Sequence, residues 1–220
     1  MISFSTMNHF QRHKNDIMNT TTNDTKSNQL ASTSTKSFAG KGLFPRCWAF
    51  VLLLPFRKFF HSPKRLIERL EINCHSTVLE IGPGPGFFSV EVARCLTNGK
   101  LVLADIQQEM LDYAKKRLTR RRMTNVEYYL CRGEEFDLPD TMFDAVFMVM
   151  VLGEVPNKDV YLRECYRMLK LGGILSISEH DGDPDILLIE EVRSLAEHAG
   201  FVFHKIYGKE RNYTVNFKKP

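Results

Sequence analysis

The sequence predicts a doubly wound α/β fold: a seven-stranded, mostly parallel sheet with helices on both faces and a C-terminal antiparallel β-hairpin. Three observations predict it. From Thr77 onward, apolar runs of strand length alternate with segments whose apolar residues recur at helical spacing, the pattern of β-α units that builds a parallel sheet. A glycine-rich turn, Gly82-Pro83-Gly84-Pro85-Gly86, separates the first such run from its helix. Finally, Phe201–Tyr207 and Tyr213–Phe217 are joined by a polar turn too short to hold a crossover helix, so those two strands must run antiparallel.

The organisation falls into three parts: a polar tail over 1–40, an apolar and helical segment over 41–72, and the α/β domain over 73–220. Residues 15–37 are mostly Ser, Thr and Asn, too poor in apolar side chains to offset the entropy of ordering, and are expected to be disordered. Leu43–Phe56 is the most hydrophobic stretch, but the uninterrupted run from Cys47 to Leu54 is too short to cross a bilayer, which takes about 20 apolar residues. Three readings stay open for it: a helix packed on the domain, a lid over an apolar substrate, or peripheral membrane contact through 43–60. Ser62-Pro63 then reads as an N-cap followed by proline at the first helical position, with Leu66, Ile67 and Leu70 on one face.

Within the domain, Thr77–Ile81 is the first strand, followed by the glycine turn and a helix over about Phe87–Leu96. Lys100–Ile106 is the second strand and Gln108–Arg121 the second helix, with Met110, Leu111, Ala114 and Leu118 aligned. Val126–Cys131 and Phe143–Val149 are the next strands. Asp159–Leu169 is helical and is expected to end at Gly172-Gly173 before strand Ile174–Ser178. Ile186–Ala199 is the last helix, with Gly200 at its C-terminal position.

Composition excludes some classes of function. A net charge of +4 on 220 residues is too mild for a dedicated nucleic-acid binder, and the dense block Lys115–Arg122 reads as the solvated end of a helix. Five widely spaced cysteines with no C-x-x-C pair point to no metal site and suit a reducing, cytoplasmic setting.

The chemistry centres on the turn after strand one, because sheets of this kind bind ligands outside the carboxyl ends of their strands. Gly82, Gly84 and Gly86 let the backbone approach a ligand closely. The third glycine arrives one residue too early for a dinucleotide fingerprint, and Pro83 and Pro85 remove amides that a diphosphate would use. Glu80 would repel a diphosphate yet attract the amino group of an aminoacyl ligand. Asp105, closing strand two, stands where a carboxylate accepts ribose hydroxyls. The pair describes a cavity for a nucleoside with a cationic amino-acid tail, which S-adenosylmethionine matches.

Val78-Leu79-Glu80-Ile81-Gly82-Pro83-Gly84-Pro85-Gly86 and Ala104-Asp105-Ile106-Gln107-Gln108-Glu109-Met110-Leu111 resemble the first two motifs of the class I S-adenosylmethionine-dependent methyltransferases. Arg132–Pro139, Phe143–Val146 and Glu164–Gly173 are similar to the later ones, so the resemblance covers nearly all of 62–220. It implies a Rossmann-like methyltransferase fold, S-adenosylmethionine as cofactor, and Glu134 in the role of the acidic residue that holds the adenine amino group. It further implies Ile106, Gly133 and Val149 in the cofactor site, beside Glu80, the three glycines and Asp105. The chain departs from the family at Leu152-Gly153-Glu154, where relatives commonly carry a histidine. Glu154 and His180, which follow strands four and five, are the expected acceptor-side residues. A small, apolar acceptor is the leading expectation; a protein or RNA methyltransferase and a non-catalytic S-adenosylmethionine-binding interaction protein are the alternatives.

Overall fold

Apart from Glu80 and Asp144, runs such as Val78-Leu79-Glu80-Ile81 and Phe143-Asp144-Ala145-Val146-Phe147 carry apolar residues on both alternate faces, so they form strands where both faces are covered. The computed structural model describes residues 62–133 and 135–220. Its elements are α1 (Pro63–Leu70), β1 (Thr77–Ile81), α2 (Ser89–Cys95), β2 (Lys100–Asp105), α3 (Gln108–Arg120), β3 (Val126–Leu130), β4 (Phe143–Val149), α4 (Lys158–Met168), β5 (Leu169–Glu179), α5 (Ile189–His198), β6 (Val202–Lys209) and β7 (Asn212–Lys218). The seven strands form one sheet in the order β3-β2-β1-β4-β5-β7-β6. β1 to β5 are mutually parallel, whereas β7 runs antiparallel to both β5 and β6. The doubly wound sheet and the C-terminal hairpin are both as expected from the sequence.

Alternation along the strands sends side chains to two cores. Val78, Leu101, Leu103 and Phe147 meet α1, α2 and α3 on one face, while Leu79, Ile81, Val146 and Ile177 meet α4 and α5 on the other. Leu70 and Phe143 are fully buried. Leu66 and Leu70 anchor α1 while Ile67 is only partly buried. Asn125, just before β3, donates through Nδ2 to the carbonyls of Ala93 at 2.9 Å and Leu96 at 2.7 Å, tying the end of α2 to the start of β3. Asn125→Ala is therefore expected to cost about 1–2 kcal/mol, read as a lower denaturation midpoint at unchanged slope.

The structure corrects the expectation in four places. Ser62 has the extended backbone of an N-cap, but its side chain makes no capping bond. α5 begins at Ile189, where the Glu191 carboxylate accepts the Leu188 N–H at 2.7 Å. The hairpin turn is Glu210-Arg211 alone, because β6 continues through Gly208 and Lys209 to pair with Tyr213 and Asn212. Gly172-Gly173 does not end α4. The helix stops at Met168, and the glycines lie inside β5 where its register to β4 jumps from Phe143–Leu169 to Ala145–Ile174. Gly172, at φ +72°, absorbs that bulge.

The tail over 1–40, the Leu43–Phe56 segment and Glu134 lie outside the described residues. No helix among the described residues is long and apolar enough to cross a membrane.

Candidate active site

β1 and β4 are neighbours, yet the chain leaves β1 toward β2 and β3 and leaves β4 toward β5. At such a reversal the departing loops diverge and leave a crevice beyond the carboxyl ends of the strands. Glu80 and Ile81 of β1, Asp105 of β2, Val149 of β4 and Glu179 of β5 stand at those ends.

The turn after β1 folds back on the sheet: the Gly82 N–H donates to the Ala104 carbonyl at 2.8 Å and the Gly86 N–H to the Pro83 carbonyl at 3.0 Å. Gly82 sits at φ +65°, and a Cβ there would stand 2.5 Å from Cγ2 of Val151, in the loop after β4. Conformation and space both exclude a side chain. Gly82→Ala is expected to weaken cofactor binding at least severalfold by displacing Val151 and the turn, measurable by titration calorimetry; unchanged affinity would show that the turn does not contact the ligand.

Two carboxylates flank this turn. Glu80 is 2% exposed and its Oε2 has no hydrogen-bond partner. Burial pushes its carboxyl up to about 8; the Ser89 hydroxyl at the start of α2 opposes the rise and Asp105 adds to it. Asp105 is 8% exposed, and its Oδ1 accepts the Gln107 N–H at 2.9 Å. Burial pushes it up to about 6, against the pull of the Gln107, Gly84 and Ile106 backbone amides. Asp105 thus reaches the glycine turn through Gly84. A buried carboxylate oxygen with no internal donor is costly unless a ligand supplies one. Glu80 asks for a cation or strong donor and Asp105 for hydroxyls, so the pair suits the amino group and ribose of S-adenosylmethionine and opposes a diphosphate.

Of the remaining expected cofactor residues, Ile106 and Val149 are half-buried at the ends of β2 and β4. Gly133 lies on an open groove along β3, lined also by Tyr128, Leu130 and Phe136, with nothing within 4 Å of where a Cβ would stand.

On the acceptor side, Glu154 ends a 3-10 turn (Leu152–Glu154) after β4, and His180 follows β5, so both occupy the ligand edge. The groups acting on Glu154 are carboxylates: burial, then Asp183, Asp185 and Asp105, push it up to about 7. Behind it stands Glu179, fully buried, with neither carboxylate oxygen hydrogen-bonded. Burial raises it to about 8, Asp183 and Glu154 add to the rise, and Lys158 opposes it. The Lys158 ammonium donates to the carbonyls of Gly153 at 3.1 Å and Val155 at 2.8 Å, which leaves it bracing the loop. The loops after β4 and β5 are in backbone contact, because a Cβ on Gly153 would collide with the Asp185 carbonyl.

Glu179, Asp183, Asp185 and Ser89 are site residues that sequence reasoning missed. The signal for Glu179 was present: it follows Ile174-Leu175-Ser176-Ile177-Ser178 without a turn residue, so a strand reading extended by one position would have buried it.

A family model described as a methyltransferase domain matches residues 72–219. The ubiquinone/menaquinone biosynthesis C-methyltransferase UbiE of Escherichia coli O1:K1 is 36% identical over 122 residues, 52% of this chain and 49% of that protein. The chain thus matches about half the length of that relative. Among solved structures, an S-adenosylmethionine-dependent methyltransferase from Aquifex aeolicus superimposes with a TM-score of 0.75 at 24% identity, over 81% of this chain and all of that one. Phosphoethanolamine N-methyltransferase 2 of Haemonchus contortus, in complex with S-adenosylmethionine, does so with a TM-score of 0.62 at 16% identity, over 72% of this chain and 52% of that one. At these identities the likeness is one of fold.

Proposed function

We propose that this chain, which belongs to the methyltransferase-domain family of class I S-adenosylmethionine-dependent enzymes, moves the methyl group of S-adenosylmethionine onto a small organic acceptor. The observation that carries the reading is the pair of buried carboxylates, Glu80 and Asp105, bracketing a glycine turn at the point where the sheet order reverses. The match to UbiE supports a small acceptor over a macromolecular one. The apolarity expected of that acceptor rests on residues 43–60, outside the described residues; the described side of the site adds carboxylates. A cytoplasmic setting is part of the proposal, and the free thiols of Cys74, Cys95, Cys131 and Cys165 are compatible with it.

S-adenosylmethionine supplies an electrophilic methyl carbon whose leaving group is already activated. The protein's task is then to hold the acceptor in line, keep water out and, where the acceptor carries a proton, remove it. Glu80 and Asp105 anchor the cofactor's amino-acid tail and its ribose, and the crowded turn around Gly82 and Val151 fixes its depth. Glu154, raised into the neutral range, is suited to take up a proton near pH 7, with His180 at the same edge as the second candidate.

Calorimetry with S-adenosylmethionine, followed by transfer of its labelled methyl group into a cell extract, tests the proposal. Label is expected in the low-molecular-mass fraction. Binding without transfer would mark a non-catalytic binder, label in protein or RNA would move the acceptor class, and absence of binding would overturn the reading.

A further inference from the structure

Glu154, Glu179, Asp183 and Asp185 lie at the carboxyl ends of β4 and β5 and press on one another electrostatically. Surface carboxylates cluster without meaning, since water screens them. Glu179 is different: it has no solvent-exposed surface, both of its oxygens lack a donor, and the charges of Glu154 and Asp183 act on it. Lys158, the cation acting on it, is hydrogen-bonded to two carbonyls. Tyr213, its cross-strand neighbour on β7, donates its hydroxyl to the Leu187 carbonyl at 2.8 Å. Neither is hydrogen-bonded to the carboxylate, so the donors that would satisfy it must come from elsewhere.

We propose that Glu179, with Glu154 in front of it, is the recognition site for an amine, and that the methyl acceptor is therefore an amine bound as its ammonium. The inference rests on the methyltransferase reading and names its acceptor class. Metal binding does not explain the cluster, since no three His, Cys, Asp or Glu side chains among the described residues are arranged to hold an ion. An acceptor that develops negative charge, such as a phenolate or an enolate carbon, would meet carboxylates at the site and be raised in energy. An ammonium supplies several N–H donors and a positive charge, which Glu179 lacks and the surrounding carboxylates favour. Before the nitrogen lone pair is available, one N–H bond must break, and its proton passes to a Glu154 oxygen to form the O–H of the carboxylic acid. Glu179, deeper in the site, keeps its hold on the remaining N–H groups.

The test uses the full chain saturated with S-adenosylhomocysteine at pH 8. Ethanolamine, 2-phenylethylamine and a graded series of alkyl and aryl amines are compared by calorimetry with their hydroxyl counterparts. At least one amine is expected to bind at least tenfold more tightly than the matching alcohol or phenol. Glu179→Gln should weaken that amine tenfold or more while S-adenosylmethionine affinity stays within twofold. Glu154→Gln, in a less buried position, provides the check if Glu179→Gln misfolds, and should weaken the amine severalfold. Alcohols or phenols that bind as well as amines, an amine affinity indifferent to both substitutions, or no amine bound at all would each overturn the assignment. Loss of S-adenosylmethionine binding by the unaltered protein would instead overturn the underlying reading, so the two failures are distinguishable.

Discussion

Asp105→Ala is expected to lower S-adenosylmethionine affinity by about ten- to a hundredfold, the equivalent of losing one or two hydrogen bonds to a charged acceptor. Glu80→Ala should do the same by removing the carboxylate whose Oε2 is left without a donor in the ligand-free protein. Calorimetry separates the effect from folding, because thermal midpoints without ligand should not fall in step with affinity. The pH dependence follows from the direction of the shifts. Asp105 accepts ribose hydroxyls best as the carboxylate, and its pKa of about 6 in the empty site means that affinity should decline as the pH drops through that value. Equal affinities for Asp105→Ala and the unaltered chain would remove Asp105 from the cofactor site.

Glu179→Gln is expected to stabilise the protein at alkaline pH. A carboxyl whose pKa in the folded state is raised to about 8 from an ordinary 4.5 keeps its proton on folding. Its full contribution to stability is present below the unfolded value and is lost as the pH rises through the folded one. The amide never has to carry that charge. Allowing for the cost of burying the amide's own polar atoms, the gain is on the order of 2 kcal/mol at pH 8.5, a rise of roughly 4–8 °C in Tm, with little change at pH 5. A stability difference that does not vary with pH would show that Glu179 is ionised in the folded, ligand-free protein. More stable yet poorer at binding an amine is the pair of outcomes expected of a group retained for its ligand.

Much of the architecture was legible because buried parallel strands leave a strong trace. β1 and β4, covered on both faces, were bounded to the residue, whereas helix ends moved by one to three positions, as in α2 and α5. The strand order was not legible. It follows from β5 having a free edge that only a long-range pairing fills, and β7 rather than β6 fills it. In the site, the glycine turn and its flanking carboxylates stood out because spacing and chemistry agreed. Glu179 did not, since a glutamate at a strand end reads as an exit to solvent, whereas here it is fully buried beside two loops that are in backbone contact with each other. Asp183 and Asp185 looked like turn residues for the same reason.

The insertion of β7 between β5 and β6 has a consequence for synthesis on the ribosome. β5 is ready to pair on its far side well before β7 has emerged, and the intervening α5 and β6 offer it no hydrogen bonds. Until Asn212–Lys218 arrives, the nascent chain displays an unsatisfied edge of mainly apolar sequence beside its nearly completed parallel half. Chaperone dependence and aggregation of stalled chains should therefore peak in the window between completion of β5 and release of β7.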